Sequence, residues 1–158
     1  MMILTRQPGQ TISLSMLLFV ISGTWGYRSR IEMINVTFCG EYDKPPTFKV
    51  SPWPFIPAGT HFNVNITFTP EVDVLEAFWQ YEVVSDGKVI FKYRDDTICD
   101  VDPFFCNLPA GETKVWVQSE KLPAIPPVFK NRICKVKLQF FNEENIMFLC
   151  VEIVGKVR

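Results

Sequence analysis

The residues of this 158-residue chain best able to do chemistry are five cysteines: Cys39, Cys99, Cys106, Cys134 and Cys150. Thiolates hold zinc when they stand in close pairs or beside histidines, but the chain has no C-x-x-C pair and a single histidine. We therefore do not expect a zinc site. The chemistry that remains is disulfide formation, which needs an oxidising compartment and leaves one thiol over from an odd count.

Acidic residues and the single histidine offer the other candidate chemistry. A cluster of four aspartates could suggest calcium, but it lacks the regular spacing and the glycine of an EF-hand loop, so we interpret it as a solvated loop: Asp95, Asp96, Asp100 and Asp102. His61 opens an apolar stretch, and no G-x-S-x-G, H-E-x-x-H or glycine-rich phosphate motif accompanies it. We predict that the chain is not an enzyme and binds no metal or cofactor.

The beginning of the chain has the pattern of a secretory signal. Arg6 precedes the apolar run ISLSMLLFVISG, which is shorter than the ~20 residues that a membrane-spanning helix needs. We predict a cleaved signal peptide over residues 1–26 and one domain over 27–158, with a membrane anchor as the alternative. Two sequons, at Asn35 and Asn65, predict N-glycosylation and a secreted, extracellular or lysosomal protein.

Charge and apolar content limit the partners and the number of domains. The net charge is −1 and no basic block occurs, which excludes nucleic acid as a partner. Hydrophobic residues make up 47% of the chain, enough for a packed core. We expect a monomer.

Period-two alternation is the main structural signal in the chain. In HFNVNITFTP, every second residue is large and apolar: Phe62, Val64, Ile66 and Phe68. A strand with one buried face and one solvent-exposed face has this pattern, so Asn65 and its glycan belong to the solvent-exposed face. The same alternation in RICKVKLQF points Cys134, Val136 and Leu138 inward.

Short extended runs of this kind, separated by turn residues, continue along the chain after residue 30, and helical periodicity is absent there. The runs are 34–39, 46–51, 61–69, a hairpin around Asp86-Gly87, TKVWVQS, and two final strands joined by NEEN. The prolines of SPWPFIPAG predict an edge strand or a loop. An all-β antiparallel sandwich of two sheets is the expected fold.

The order and spacing of several blocks resemble the ML family of secreted lipid-recognition domains. These blocks are FCG, VSPWPF, GTHFNVNITFTP, DTICDVDPFFCNLPAGE, LPAIPP and MFLCVEIV, and together they span about Asn35 to Val154. Within the family, VNITFT is most similar to the Niemann–Pick-type cholesterol-transfer proteins, and phosphatidylglycerol/phosphatidylinositol transfer proteins are further members. The cholesterol-transfer type has a third disulfide where this chain has SPWPFIP.

The resemblance implies an immunoglobulin-like sandwich that holds a lipid between its sheets. It also implies the disulfides Cys39–Cys150 and Cys99–Cys106, with Cys134 left free. Carried over by position, Phe91 is a pocket residue and Ala124, Val128 and Phe129 belong to the pocket rim. Together with the inward residues of the alternating strands, the candidate lipid-binding set is Phe62, Val64, Ile66, Phe68, Phe91, Ala124, Val128, Phe129, Val136 and Leu138. The alternative is that these side chains pack a closed core.

Two functions follow from the resemblance. The first is a carrier that takes a sterol or phospholipid from one membrane or protein to another, with transient contact to the membrane or the lipid acceptor. The second is an interaction module that presents a bound lipid to a receptor.

Overall fold

The alternating stretches form nine strands in a computed structural model that describes residues 29–158, and the predicted signal peptide lies outside this range. The strands are β1 (Arg30–Phe38), β2 (Thr47–Ser51), β3 (Phe55–Pro57), β4 (His61–Phe68), β5 (Ala77–Ser85), β6 (Lys88–Asp95), β7 (Lys114–Lys121), β8 (Ile133–Asn142) and β9 (Met147–Val157).

The strands form two sheets in which all the strand pairs are antiparallel. The larger sheet has the order β3-β1-β9-β8-β5-β6, and the smaller sheet has the order β2-β4-β7. The inner faces of the two sheets share one hydrophobic core. This arrangement confirms the predicted antiparallel β-sandwich.

The hairpin between β5 and β6 turns at Asp86 and Gly87, as predicted. Both residues have positive φ, 51° and 74°, which a two-residue hairpin loop requires and which glycine and aspartate tolerate. A β-bulge follows, because Val84 pairs with Val89 and Val83 pairs with Phe91. Ile90 is the extra residue, and a bulge of this kind redirects the neighbouring side chains.

The proline-rich segment forms a short edge strand, as predicted: β3 pairs only with β1 at the edge of the larger sheet, where a proline is tolerated. The short helices differ from the sequence expectation: they are α1 (Ile98–Val101) and the 3₁₀ turns Pro103–Phe105 and Pro127–Phe129. Single turns carry no amphipathic periodicity, which explains why the sequence pattern did not reveal them.

Two disulfides are present, Cys39–Cys150 and Cys99–Cys106, and Cys134 is free and half-buried. The first disulfide ties the segment after β1 to β9 with a Cα–Cα distance of 5.2 Å. The hydroxyl of Tyr42 accepts a hydrogen bond from the Cys150 backbone N–H at 2.7 Å.

Candidate functional site

The space between the sheets divides into a closed half and an open half. In the closed half, aromatic rings fill the gap. The ring of Phe105 lies 5.0 Å from those of Phe140 and Trp116, and Phe68 stacks on Phe148 at 6.1 Å. Rings packed at these distances leave no room for a ligand in this half.

The open half contains a cavity of about 410 Å³ between the two sheets. All nine strands contribute to its wall, together with the segment after β7. Most of the side chains that line it are aliphatic. The volume lies toward the lower end of the ~300–1,000 Å³ typical of small-molecule sites.

The cavity wall is almost entirely apolar. Among residues 29–158, Lys121 is the only charged residue in the wall, and Cys134 is the other lining residue with a titratable side chain. Such a wall offers few hydrogen-bond donors or acceptors, so it favours an apolar ligand. Each 100 Å² of apolar ligand surface removed from water contributes about 2.5 kcal/mol to binding.

The cavity opens to solvent beside β6 and the end of β7. The wall residues Ile90 and Phe91 are 44% and 42% exposed, and Lys121 is exposed too. The bulge in β6 explains this position, because it brings two consecutive apolar side chains to the opening. We refer to this opening, marked by Ile90, Phe91 and Lys121, as the mouth.

Seven of the ten candidate lipid-binding residues lie in the cavity wall: Phe62, Val64, Ile66, Phe91, Phe129, Val136 and Leu138. Phe68, Ala124 and Val128 lie outside it. Phe68 faces inward as the alternation predicts, but it belongs to the closed half, packed on Phe104 and Phe148. Ala124 and Val128 are on the exposed side of the segment after β7.

The wall also contains residues that the sequence reasoning missed. Half of them come from β1, β9 and the segment after β7, and the other half from five further strands: Ile31, Met33, Phe48, Val50, Ile56, Val83, Ile90, Trp116, Leu122, Ile125, Ile153 and Val157. Alternation was visible in part of this set, as in TFKVS, where Phe48 and Val50 share a face. In β9 nearly every residue is buried or half-buried, so no period-two signal marks the inner face.

Two side chains near the cavity have a pKa above the usual range. Burial raises the pKa of the Cys134 thiol, and the hydroxyl of Ser85, its partner across β5 and β8, acts in the opposite direction. Burial, together with the neighbouring Tyr93, raises the pKa of Tyr81 to about 12. Both groups are therefore uncharged at neutral pH, which keeps the surroundings of the cavity apolar.

The acidic cluster makes structural hydrogen bonds within the protein. Asp95 accepts from the backbone N–H of Thr97 at 2.8 Å, and Asp102 accepts from Trp116 Nε1–H at 3.1 Å. Asp96 pairs with Arg94. Within residues 29–158, no group of three or more His, Cys, Asp or Glu side chains is arranged to hold a metal ion.

The part of the chain that the structure describes contains no helix of the length and apolarity required to cross a bilayer. The longest helical element there is a single turn.

Comparison with known proteins identifies relatives of this architecture. A family model described as an ML domain matches residues 33–157. Chicken MD-1 complexed with lipid IVa superposes with a TM-score of 0.62 at 14% identity, covering 84% of this chain and 93% of that one. A Niemann–Pick type C2 protein from the Japanese carpenter ant gives a TM-score of 0.50 at 16% identity, covering 86% and 97%. A sequence comparison with curated proteins gave no match. At these identities the structural likeness establishes the fold alone.

Proposed function

The chain belongs to the ML-domain family, and we propose on that basis that it binds one lipid between its sheets and carries it between membranes or proteins. The observation that carries this proposal is the cavity of about 410 Å³, walled by both sheets and lined by apolar side chains. Its size favours a single sterol or a lipid with few acyl chains. No catalytic step is part of this function.

The surroundings of the mouth support transfer at a membrane. Val89, which precedes Ile90 in β6, and Val128, which precedes the wall residue Phe129, are 55% and 61% exposed. Apolar side chains clustered on a surface mark a site of contact with a membrane or another protein. A lipid leaving the cavity at this point would pass directly into an apolar phase.

Charge is distributed unequally between the two ends of the sandwich. The register of the sheets brings the start of β1, β4, β6 and β8 and the end of β5, β7 and β9 to the mouth end. The basic residues at this end are Arg30, Lys88, Lys121, Lys130, Arg132, Lys156 and Arg158, against the acidic residues Glu32, Asp86 and Glu120. Near the opposite end the acidic residues predominate: Glu71, Asp73, Glu76, Asp95, Asp96, Asp100, Asp102, Glu112, Glu143 and Glu144.

This asymmetry would orient the protein with its mouth toward an anionic surface, although the net charge of the chain is only −1. Each basic residue near an anionic membrane contributes ~1 kcal/mol to attraction, and salt screens the effect. We propose a secreted or lysosomal carrier that acts as a monomer and meets anionic membranes by its mouth end.

A second candidate function is the presentation of a bound lipid to a receptor. The observation that favours it is β6, an edge strand with three consecutive exposed apolar residues, Val89, Ile90 and Phe91. An exposed edge strand can pair with a strand of another protein. In this case the mouth would contact a protein surface, and the lipid would stay bound.

Transfer of a fluorescent sterol and a fluorescent phospholipid between donor and acceptor vesicles separates the two functions. A carrier accelerates transfer in proportion to its concentration, faster with an anionic phospholipid in the vesicles and slower at high salt. A protein that binds the probe without accelerating transfer is a presenting module. Lys88→Glu, at the mouth end, should slow transfer more than Lys49→Glu, which makes the same charge change on the outer face of β2.

A further inference from the structure

The outer face of the smaller sheet is polar except for two valines. Its side chains are Thr47, Lys49 and Ser51 on β2, Asn63, Asn65 and Thr67 on β4, and Val115, Val117 and Ser119 on β7. Val115 and Val117 are 50% and 62% exposed, on the strand that forms the edge of the sheet. They do not line the cavity.

An edge strand with exposed β-branched residues is prone to pair with another copy of itself. The other edge of this sheet, β2, is followed at once by Pro52 and Pro54, which cannot donate to a new strand. In β7, the segment Val115 to Ser119 contains no proline and no charged residue. The sheet therefore has one unprotected edge, and the two valines lie on it.

The register of the sheet places a sequon beside these valines. Asn65 is directly opposite Val117, and Thr67 is directly opposite Val115. Side chains directly opposite each other on one face of an antiparallel pair have Cβ atoms ~4.5–5.5 Å apart. A sugar attached to Asn65 would therefore start next to Val117, and the carbon-bound hydrogens of a sugar ring suit contact with an aliphatic side chain.

We propose that Asn65 carries an N-linked glycan that covers Val115 and Val117 and prevents β7 from pairing with a second copy of the chain. The modification transfers an oligosaccharide from a lipid-linked diphosphate donor. A bond forms between Asn65 Nδ2 and the first sugar carbon as the bond from that carbon to the diphosphate oxygen breaks, and the amide proton leaves with the diphosphate. This role goes beyond the proposed lipid function and does not depend on it.

The second sequon supplies a matched control. Asn35 is exposed on the outer face of the larger sheet, where it pairs with the half-buried Val154 on β9 and is remote in register from β7. A glycan at Asn35 would add similar mass and solubility without covering the valines.

The test uses the full chain secreted from a eukaryotic host, in four versions: wild type, Asn65→Gln, Asn35→Gln, and Asn65→Gln combined with Val115→Thr and Val117→Thr. Intact mass before and after glycosidase treatment gives the occupancy of each sequon, and analytical ultracentrifugation gives self-association. Asn65 should be occupied, and Asn65→Gln should self-associate at least about tenfold more tightly, because pairing would cover the exposed parts of both valines on each of the two copies. Asn35→Gln and the triple variant should remain monomeric.

Three results would overturn the proposal: an unmodified Asn65 in folded secreted protein, an Asn65→Gln variant as monomeric as wild type, or a triple variant that still associates. If Asn65→Gln is not secreted, enzymatic removal of the glycan from folded wild-type protein replaces it. Removal of the glycan must then produce self-association of the wild-type protein. The same treatment of a Val115→Thr/Val117→Thr variant must leave that variant monomeric.

Discussion

The ring of Phe91 stacks on the ring of Tyr81, with 5.5 Å between the ring centroids and 25° between the planes. Tyr81 is almost fully buried among aromatic rings, whereas Phe91 is 42% exposed at the mouth of the cavity. This contact joins the closed half of the sandwich to the open half, so the ring of Phe91 is held in place before any ligand arrives.

Phe91→Ala should weaken lipid binding. A bound lipid would cover the exposed 42% of this residue, which is worth roughly 0.6–1.3 kcal/mol, or about three- to tenfold in affinity. The variant also loses the buried part of the ring and its stacking on Tyr81, so the free energy of unfolding should fall by about 1.5–3 kcal/mol. Titration with a fluorescent sterol and urea denaturation measure the two quantities.

Val128→Ala is the control for that variant. Val128 is 61% exposed near the mouth but lies outside the cavity wall. The Val128→Ala variant should bind the sterol with an affinity within about twofold of wild type, since truncating a surface side chain usually changes the free energy by ~0.5 kcal/mol or less. Equal losses of affinity in the two variants would contradict the assignment of Phe91 to the binding surface.

The thiol of Cys134 should report occupancy of the cavity. Burial raises its pKa, so most of it remains protonated at pH 7–8 and iodoacetamide should label it slowly. The labelling rate should keep rising with pH beyond the usual thiol pKa of ~8.5. Because Cys134 lies in the wall, a bound sterol or phospholipid should slow labelling further at every pH.

The readout for this prediction is the mass of the labelled protein over time, with Cys134→Ser as the control that should take up no label. The other four cysteines are in disulfides. A labelling rate unchanged by saturating lipid would place the ligand elsewhere.

The two disulfides should differ in their contribution to stability. Cys39–Cys150 closes a separation of 111 residues, and Cys99–Cys106 closes one of 7. If each acts by restricting the unfolded chain, the longer closure should stabilise by about 2–2.5 kcal/mol more. Urea denaturation of the variants Cys39→Ala/Cys150→Ala and Cys99→Ala/Cys106→Ala measures this difference. Equal losses of unfolding free energy in the two variants, or a larger loss in Cys99→Ala/Cys106→Ala, would contradict this prediction. Either result would show that the entropy of the unfolded chain does not dominate the effect of these disulfides.

Much of the fold was predictable because its signals are local. The alternation in β4 and the Asp86-Gly87 turn are visible within a few residues of sequence, and the structure has both. The disulfide pairing was available only through family resemblance, because the residues themselves permit several pairings.

The cavity was less predictable, because its boundary depends on which inward residues meet across the two sheets. Ile66 and Phe68 have the same position in the alternation of β4. Ile66 lines the cavity, whereas Phe68 meets Phe104 and Phe148 in the closed half. The period-two alternation shows which face of the strand a residue lies on. It does not show whether that residue lies in the open half or the closed half of the sandwich. The bulge that brings Ile90 to the mouth had no signal in the sequence.

The measurement that tests the central claim most directly is native mass spectrometry of the protein from a eukaryotic secretory host, followed by lipid extraction. It should be made on wild type and on Val136→Phe, which adds volume to the cavity wall from a half-buried position on β8. We predict one bound sterol or phospholipid per wild-type molecule and a reduced or absent lipid mass in the folded variant. A wild-type protein that is empty, and that stays empty with sterols and phospholipids offered in excess, would contradict the claim that this cavity holds a lipid.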